Sequence, residues 1–388
     1  MENERIRKIT LVTVEYCNLD CTYCYEYHKQ NRGMKFDVAK NIIDSEFERF
    51  PDDSIIQIEF IGGEPFLKES FQLIKQVVSY NEQYYPDKDI TYVATTNGTC
   101  VHRDVQEWLM AHSKNFVISL SLDGRKTSHD TNRKYKNGNG SFDDIDIGFF
   151  QRYPIKVNAK MTISPESLIN LADDILYVES LGLLATASFA TGYVGENNFD
   201  FLELEKQLVK LIDIYSNNEN ELPMFLKMDI TSVLADTSSC QKYCGAGSIT
   251  RTFCSDAIKE NGEIVWYPCQ GLAPISIGEK ADEYIRCTFD GFELPSDYPC
   301  STCKFKKLCS ACWATNLGST GSIYKQSPVF CKISRMCALA SSTILFNRLM
   351  KKELADISAE EQVMLKALEI IQTEIFDDSK HSFIDSQE

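Results

Sequence analysis

The sequence has little positive charge and no long run of apolar residues. Its 388 residues include 40 Lys and Arg against 56 Asp and Glu, a formal net charge of −16. No basic stripe stands out, which argues against nucleic acid or an anionic membrane as the main partner. The N-terminal segment lacks the apolar core of a signal peptide. The least polar late stretch, Cys337–Leu349, is too short to span a bilayer. We therefore expect a cytoplasmic protein.

Cysteine, in contrast, is abundant. The chain has 15 cysteines. In a reducing compartment they are not expected to form a disulfide framework, so metal binding or catalysis is the leading interpretation. Three of them form a group at Cys17, Cys21 and Cys24, Cys100 stands alone, and the others fall late in the chain, from Cys240 onward.

Between these two cysteine-rich regions, apolar β-type runs alternate with segments of helical periodicity. This alternation predicts an α/β fold with a parallel sheet, open or curled into a barrel, whose ligands bind at the carboxyl ends of the strands. The predicted strands are Ile9–Val14, Ile55–Phe60, Ile90–Ala94, Phe116–Leu122, Ile155–Ile163 and Ala185–Ala190, and the clearest predicted helices are Asp37–Arg49, Glu69–Tyr80, Arg103–Ala111 and Ser167–Leu181.

The alternation stops at about Asp229, and a segment rich in Gly, Pro, Ser and Cys follows. A segment so poor in regular structure needs crosslinks, for which metal clusters are the natural candidates. Near the C-terminus, Ser358 and Glu361 have the spacing of a capping box ahead of an amphipathic helix. We predict three parts: a core domain over residues 1–229, a cluster-binding domain over 230–345, and a C-terminal helix and tail over 346–388.

The first cysteine group has the spacing C-x3-C-x2-C and directly follows the first predicted strand. Three thiolates on one loop suit an iron–sulfur cluster, and because a cubane needs four ligands, they leave one iron open. From spacing alone, a three-cysteine zinc site with a fourth ligand such as His28 remains an alternative.

The motifs beyond this spacing resemble the radical S-adenosylmethionine (SAM) superfamily. Tyr23 precedes the last cysteine of the group, and further motifs follow in register with the predicted strands: Gly62-Gly63-Glu64-Pro65, Thr96-Asn97-Gly98, Ser119 to Gly124, and His129 to Arg133. The resemblance implies a partial (β/α)6 barrel in which SAM chelates the open iron of a [4Fe-4S] cluster bound by Cys17, Cys21 and Cys24. One electron then cleaves SAM to a 5′-deoxyadenosyl radical.

The resemblance also implies the residues that bind SAM. Gly62 and Gly63 would let backbone carbonyls approach its ammonium group, since glycine has no side chain. Arg133 would hold its carboxylate. The full predicted set is Tyr23, Gly62, Gly63, Glu64, Ser121 and Arg133. Two structural alternatives without contact to SAM stay open at this point. In the first, Arg133 forms a surface ion pair, and in the second, Ser121 is a buried hydroxyl bonded to backbone.

The late cysteines resemble the SPASM extension, which holds two auxiliary [4Fe-4S] clusters, so three clusters are expected in all. Carried over, auxiliary cluster I takes Cys244, Cys254, Cys269 and Cys312, and auxiliary cluster II takes Cys300, Cys303, Cys309 and Cys331. The gap before Cys312 and the spacing before Cys269 depart from the family pattern, and Cys240 is an alternative to Cys244 or Cys254. Two zinc knuckles are the alternative for the whole region. Cys100, Cys287 and Cys337 match no motif and are interpreted as small buried residues.

The resemblance leaves the substrate open, with peptides and proteins the commonest class. In sulfatase-maturing relatives an Asp follows the cysteine of the Tyr-Pro-Cys sequence and is thought to act as a base. Here Gln270 follows Cys269, and an amide cannot accept that proton. Asp256 is a possible substitute. We therefore expect a maturase that crosslinks a ribosomally made peptide, with formylglycine synthesis as the alternative.

Two further points bear on this expectation. Many peptide maturases begin with a leader-recognition domain, whereas the first predicted strand here begins at Ile9, as in sulfatase maturases. An electron donor such as flavodoxin or ferredoxin is expected as a partner. A non-catalytic iron–sulfur electron carrier is a third interpretation, but such a protein would not need Arg133 or the glycine motif at Gly62.

Overall fold

The computed structural model describes residues 6–51, 55–190, 199–234, 245–289, 296, 298–309 and 311–376. These residues divide into two compact units. The first unit comprises Met1–Glu166, Asp173–Thr191 and Cys244–Asp290, and the second comprises Ser167–Ala172, Gly192–Tyr243 and Gly291–Glu388. The segment Cys244–Asp290 therefore packs with the first unit, whereas the sequence grouped it with the residues that follow.

The first unit is built on a parallel sheet of seven strands. In space they follow the order β6-β5-β4-β3-β2-β1-β7. Every pair of neighbours in this order is parallel. The strands are β1 (Ile6–Val14), β2 (Ile55–Gly62), β3 (Ile90–Thr96), β4 (Phe116–Ser121), β5 (Asn158–Ile163), β6 (Leu184–Phe189) and β7 (Thr250–Phe253).

Six strands follow one another in chain order, so each crossover adds a strand on the same side. Right-handed crossovers then place the helices on one face and curl the sheet toward a barrel. Burial follows this layering, since Ile90, Tyr92 and Ala94 of β3 are buried while Thr91 and Val93 on the other face are only half-buried. The intervening helices are α1 (Phe36–Arg49), α2 (Lys68–Tyr84), α3 (Arg103–Ala111), α4 (Lys126–Asn132), α5 (Ile147–Arg152) and α6 (Leu171–Ser180).

The seventh strand was not predicted. β7 pairs with the free edge of β1, from Lys8 beside Thr250 to Leu11 beside Phe253. Its four residues include the charged Arg251, so the segment lacks the hydrophobic alternation that would predict a strand. The structure buries Arg251 because its Nη1 lies 2.8 Å from a carboxylate oxygen of Glu46, in a pair that is almost fully buried.

The second unit is helical. It contains α7 (Phe201–Ser216), α9 (Trp313–Thr320), α10 (Pro328–Leu349) and α11 (Ala359–Ile370), which a π-helical turn, Ile371–Ile375, extends; the short α8 (Pro274–Ile277) belongs to the first unit. Ser358 and Glu361 form the predicted capping box of α11, which confirms that prediction. Between α10 and α11, a core of small and medium apolar residues packs on Phe305.

Helix α10 corrects the expectation for the late apolar stretch. The helix begins at Pro328, nine residues before Cys337, and its 22 residues make it long and apolar enough to cross a membrane. It is the one helix of that kind in the described residues, and 44% of its most apolar window is buried. Core helices of water-soluble proteins have the same length and composition, so this alone is weak evidence for a membrane span.

Candidate functional site

The cysteines of the first group lie on the loop that follows β1. The loop turns back on itself through a hydrogen bond of 3.1 Å from the Cys24 N–H to the Cys21 carbonyl. The Leu19 N–H donates to Cys17 Sγ over 3.4 Å, and Lys29 Nζ donates to Cys24 Sγ over 2.9 Å. Burial raises the pKa of the Cys21 thiol to about 11. A metal bound there would deprotonate it outright.

The zinc alternative for this loop requires three thiolates and a fourth ligand around one ion. Among the described residues, no group of three or more His, Cys, Asp or Glu could hold one metal ion. A zinc ion needs every thiolate within about 2.3 Å of one point, whereas each thiolate of a cubane binds its own iron. The alternative zinc ligand, His28, lays its ring against Gly278, where an added Cβ would meet that ring at 2.9 Å.

Gly62 is the last residue of β2, and Gly63 follows it where the cysteine loop passes. A Cβ on Gly63 would lie 1.8 Å from the Tyr16 carbonyl oxygen and 2.6 Å from the Cys17 nitrogen. Gly62 has a φ of +115°, and its Cβ would lie 1.9 Å from the Val14 carbonyl oxygen. The sequence argument assigned these glycines to contact with SAM. The structure gives a more immediate reason for them, because the end of β1 at Gly62 and the cysteine loop at Gly63 occupy the space that a side chain would need.

Glu64 joins the end of β2 to the end of β3. Its carboxylate accepts hydrogen bonds from Thr96 Oγ1 and from the Asn97 N–H, each over 2.7 Å, and from the Phe66 N–H over 3.0 Å. Burial raises the pKa of this carboxyl to about 6. Asn97 in turn directs its Nδ2 at Cys17 Sγ, 3.7 Å away. Glu64 therefore positions the loops around the cysteines, and direct contact with SAM stays a prediction.

Arg133 is held by a buried carboxylate, so the surface ion pair considered from sequence is wrong. Its Nη2 lies 2.9 Å from Asp123 Oδ1, with side-chain exposures of 8% and 1%. Asp123 also accepts from the Tyr23 hydroxyl and from the Thr162 N–H over 2.9 Å. Arg133 Nε is buried without a hydrogen-bond partner among the described residues. A guanidinium with an unused donor at this edge of the sheet fits a ligand carboxylate.

Asp123 is the residue whose role sequence reasoning missed. It joins the cysteine loop through Tyr23, the end of β5 through Thr162, and Arg133 in one set of contacts. The sequence offered one signal for this role. Asp123 is an acidic residue in the motif that follows β4, and it lies ten residues before Arg133 of a neighbouring motif. Ser121, the last residue of β4, is half-buried, and its role in binding SAM stays a prediction.

His129 supports this group from behind. Its Nδ1 accepts from the Asp123 N–H over 3.4 Å, and its Nε2 lies 3.1 Å from Ser141 Oγ. The side chain has no exposed surface. Burial lowers the pKa of His129 to about 4, so the ring is neutral and adds no charge beside Arg133.

Four late cysteines lie together in the second unit, namely Cys300, Cys303, Cys309 and Cys331. Burial, followed by the charges of the other three thiolates, raises the pKa of Cys309 to about 12. Arg335 Nη2 lies 3.6 Å from Cys303 Sγ. The structure thus gathers the four cysteines that the resemblance assigns to auxiliary cluster II, and their role as ligands is a proposal.

The cysteines assigned to auxiliary cluster I belong to both compact units. In the first unit, Cys254 is fully buried in an apolar cluster just after β7, and Cys269 is half-buried at the start of a 3₁₀ turn. In the second unit, Cys312 is exposed at the N-cap of α9. Cys244, and its alternative Cys240, lie outside the described residues. The ligand set of this cluster stays a prediction.

The three unmatched cysteines differ in burial. Cys337 is buried within α10, as expected. Cys100 and Cys287 are only half-buried, so the interpretation as small buried residues is wrong for these two. Cys100 follows the Asn97 loop, where its Sγ lies 3.9 Å from Thr99 Oγ1.

Comparisons with known proteins cover the part of the chain that carries this site. The family described as a "4Fe-4S single cluster domain" matches residues 6–143, which carry the three cysteines and the Arg133 site. An uncharacterized protein of Methanocaldococcus jannaschii is 31% identical over 280 residues, which cover 70% of this chain and 87% of that protein. A cysteine-type anaerobic sulfatase-maturating enzyme of Clostridium perfringens is 25% identical over 331 residues, covering 76% of this chain and 84% of that enzyme.

Solved structures give the same fold. Native anSMEcpe with bound AdoMet has a TM-score of 0.66 at 19% identity, covering 89% of this chain and 98% of that one. SuiB of Streptococcus suis, bound to its precursor peptide SuiA, has a TM-score of 0.56 at 15% identity, covering 84% and 76%.

The chain belongs to the radical SAM enzymes. Its family match and relatives agree with a [4Fe-4S] cluster and SAM as cofactors, and its parallel α/β fold is the radical SAM fold that the sequence predicted. A non-catalytic electron carrier is thereby excluded.

Proposed function

We propose that this radical SAM enzyme matures a ribosomally made peptide by joining a cysteine sulfur to a carbon of another residue, or by a related crosslink. The observation that carries the proposal is Gln270. It follows Cys269 directly and opens a 3₁₀ turn, with its backbone carbonyl held by Ser276 Oγ at 2.8 Å. Its amide cannot take a proton from a substrate side chain, whereas a thiol bound to a metal needs no such base.

We also propose how this chain holds its cofactors. Cys17, Cys21 and Cys24 would bind the first cluster, and Arg133 would pair with the carboxylate of SAM through its unused Nε donor. Ser121 stands at the same strand end as a further hydrogen-bonding group. When bound, the cluster and SAM would supply a carbon radical that abstracts one hydrogen atom from the substrate, and an auxiliary cluster would accept the electron released when the cysteine thiolate bonds to the substrate carbon. Two auxiliary clusters, with an external flavodoxin or ferredoxin as reductant, complete the proposed inventory in a cytoplasmic enzyme.

Formylglycine synthesis is the second candidate, favoured by the name of the Clostridium perfringens relative, a sulfatase-maturating enzyme. That reaction would use a carboxylate as the base that deprotonates the substrate side chain. Asp256 is the substitute that the sequence offers, and its side chain is 48% exposed and lies 3.2 Å from Arg32. The Arg32 guanidinium therefore already occupies this carboxylate in an ion pair.

Product mass separates the two reactions. The enzyme is reduced and supplied with SAM and, in separate assays, with cysteine-containing peptides from neighbouring genes and with a sulfatase-motif peptide. A crosslinked peptide loses about 2 Da, and its cysteine no longer reacts with an alkylating agent, whereas conversion of cysteine to formylglycine loses about 18 Da and creates an aldehyde. A hydrazide-reactive product would overturn the crosslinking proposal. A mixture without SAM is the control.

A further inference from the structure

The segment after the third cysteine is fixed on both sides of Lys29. The His28 N–H donates to the Ile275 carbonyl over 2.9 Å, and the Gln30 N–H donates to the Glu15 carbonyl over 3.2 Å. A residue between two such anchored neighbours has its Cα position set by the backbone. The place of Lys29 beside the cysteine loop therefore does not depend on its own side-chain contact.

The Lys29 side chain reaches from this fixed position to the cysteine loop. It is half-buried, and its Nζ lies 2.9 Å from Cys24 Sγ. Two acidic side chains are also buried around the loop, Glu26 with 7% exposure and Glu64 with 1%. The Lys29 ammonium adds positive charge in direct contact with one sulfur atom of this loop.

We propose that Lys29 raises the reduction potential of the [4Fe-4S] cluster bound by Cys17, Cys21 and Cys24. Reduction adds one electron to a cluster that three thiolates already make negative. A cation against one of those sulfurs stabilises the reduced form more than the oxidised form, and both net charge and hydrogen bonds to sulfur are known to set such potentials. Because the ammonium is half-buried, salt screens this interaction less than it screens a surface pair.

Lys29 is a positioning and tuning residue in this proposal, and it does not touch the reacting atoms. The inference rests on the proposed ligation by Cys24 but not on which product the enzyme makes. Its test is therefore a potential and not an activity. The SAM-sensitive part of the reduced EPR spectrum identifies this cluster among the others, and if the wild-type enzyme showed no such signal, the cofactor assignment itself would be wrong.

The experiment compares four variants of the full-length enzyme with the wild type. Lys29→Met and Lys29→Gln remove the charge, the second keeping an N–H donor, and Lys29→Arg keeps the charge. Lys114→Met removes an exposed positive charge just before β4. It lies at the amino ends of the parallel strands, whereas the cysteine loop lies at their carboxyl ends. Iron content is measured for each variant, and the midpoint potential is obtained by a redox titration followed by EPR.

Both neutral variants are expected to have a more negative midpoint potential. At any fixed potential the ratio of reduced to oxidised cluster should fall about tenfold or more, and tenfold corresponds to about 59 mV for one electron. Lys29→Arg and Lys114→Met should stay near the wild type. Full iron content with an unchanged potential in the neutral variants would overturn the inference. It would also be overturned if the neutral variants lost the cluster while Lys29→Arg kept it. The positive charge would then serve to retain the cluster and not to set its potential.

Discussion

Replacing Gly63 by Ala tests whether the glycine motif exists to admit the cysteine loop. The new Cβ would lie 1.8 Å from the Tyr16 carbonyl oxygen, although Cβ contacts below 3.0 Å essentially never occur. The backbone at Tyr16 and Cys17 must then move by at least about 1.2 Å, since a packed interior has no spare volume. Overpacking of this kind costs about 1–3 kcal/mol of stability.

The displaced residue is a proposed cluster ligand, so the functional loss should exceed the loss of stability. We expect Gly63→Ala to lose about four iron atoms per chain. Cleavage of SAM to 5′-deoxyadenosine should fall about 100-fold or more, as misplacements of about 1 Å do in active sites. The assay is anaerobic reconstitution, an iron determination, and chromatography of 5′-deoxyadenosine after reduction with dithionite.

Gly33→Ala is the matched control, because Gly33 lies opposite Val14 in the same part of the fold. A Cβ there would lie 3.4 Å from the Thr13 carbonyl oxygen, which is an ordinary van der Waals contact. This variant should keep its iron and its activity. The reasoning is refuted if Gly63→Ala also keeps both, because the loop would then have room that the structure does not show.

Three further predictions follow from the site. The variant with Cys17, Cys21 and Cys24 all changed to Ala should release no 5′-deoxyadenosine while keeping about eight of about twelve iron atoms. Iron near four in the wild type and near zero in the variant, with stoichiometric zinc in both, would contradict the auxiliary clusters. Asp123→Asn, which keeps the size of the side chain but removes its charge, should bind SAM about tenfold or more weakly at normal iron content, measured by equilibrium dialysis. If crosslinking needs no base at position 270, Gln270→Asp should leave the crosslinking mass change intact, and a switch to the aldehyde product would show that a carboxylate at this position decides the reaction.

The sequence determined the outline of the first unit. Six of the seven strands were predicted close to their observed positions, because parallel strands with one buried and one half-buried face leave apolar runs between helical periods. The capping box at Ser358 was also readable, since it depends only on residues three positions apart. The seventh strand was not, because Thr250–Phe253 is short and contains Arg251, whose burial depends on Glu46 from a helix 205 residues away in the chain.

The same division holds for the site. Motif spacing named the cysteines, the glycines and Arg133, because the chemistry of a cluster and its ligand requires those residue types on particular loops. It could not give Asp123 its role, or show that Gly63 makes room for the Tyr16 carbonyl, or place Lys29 beside Cys24. These facts depend on distances between segments that are far apart in the chain, and only the packing of parallel strands with their carboxyl ends at one edge fixes those distances.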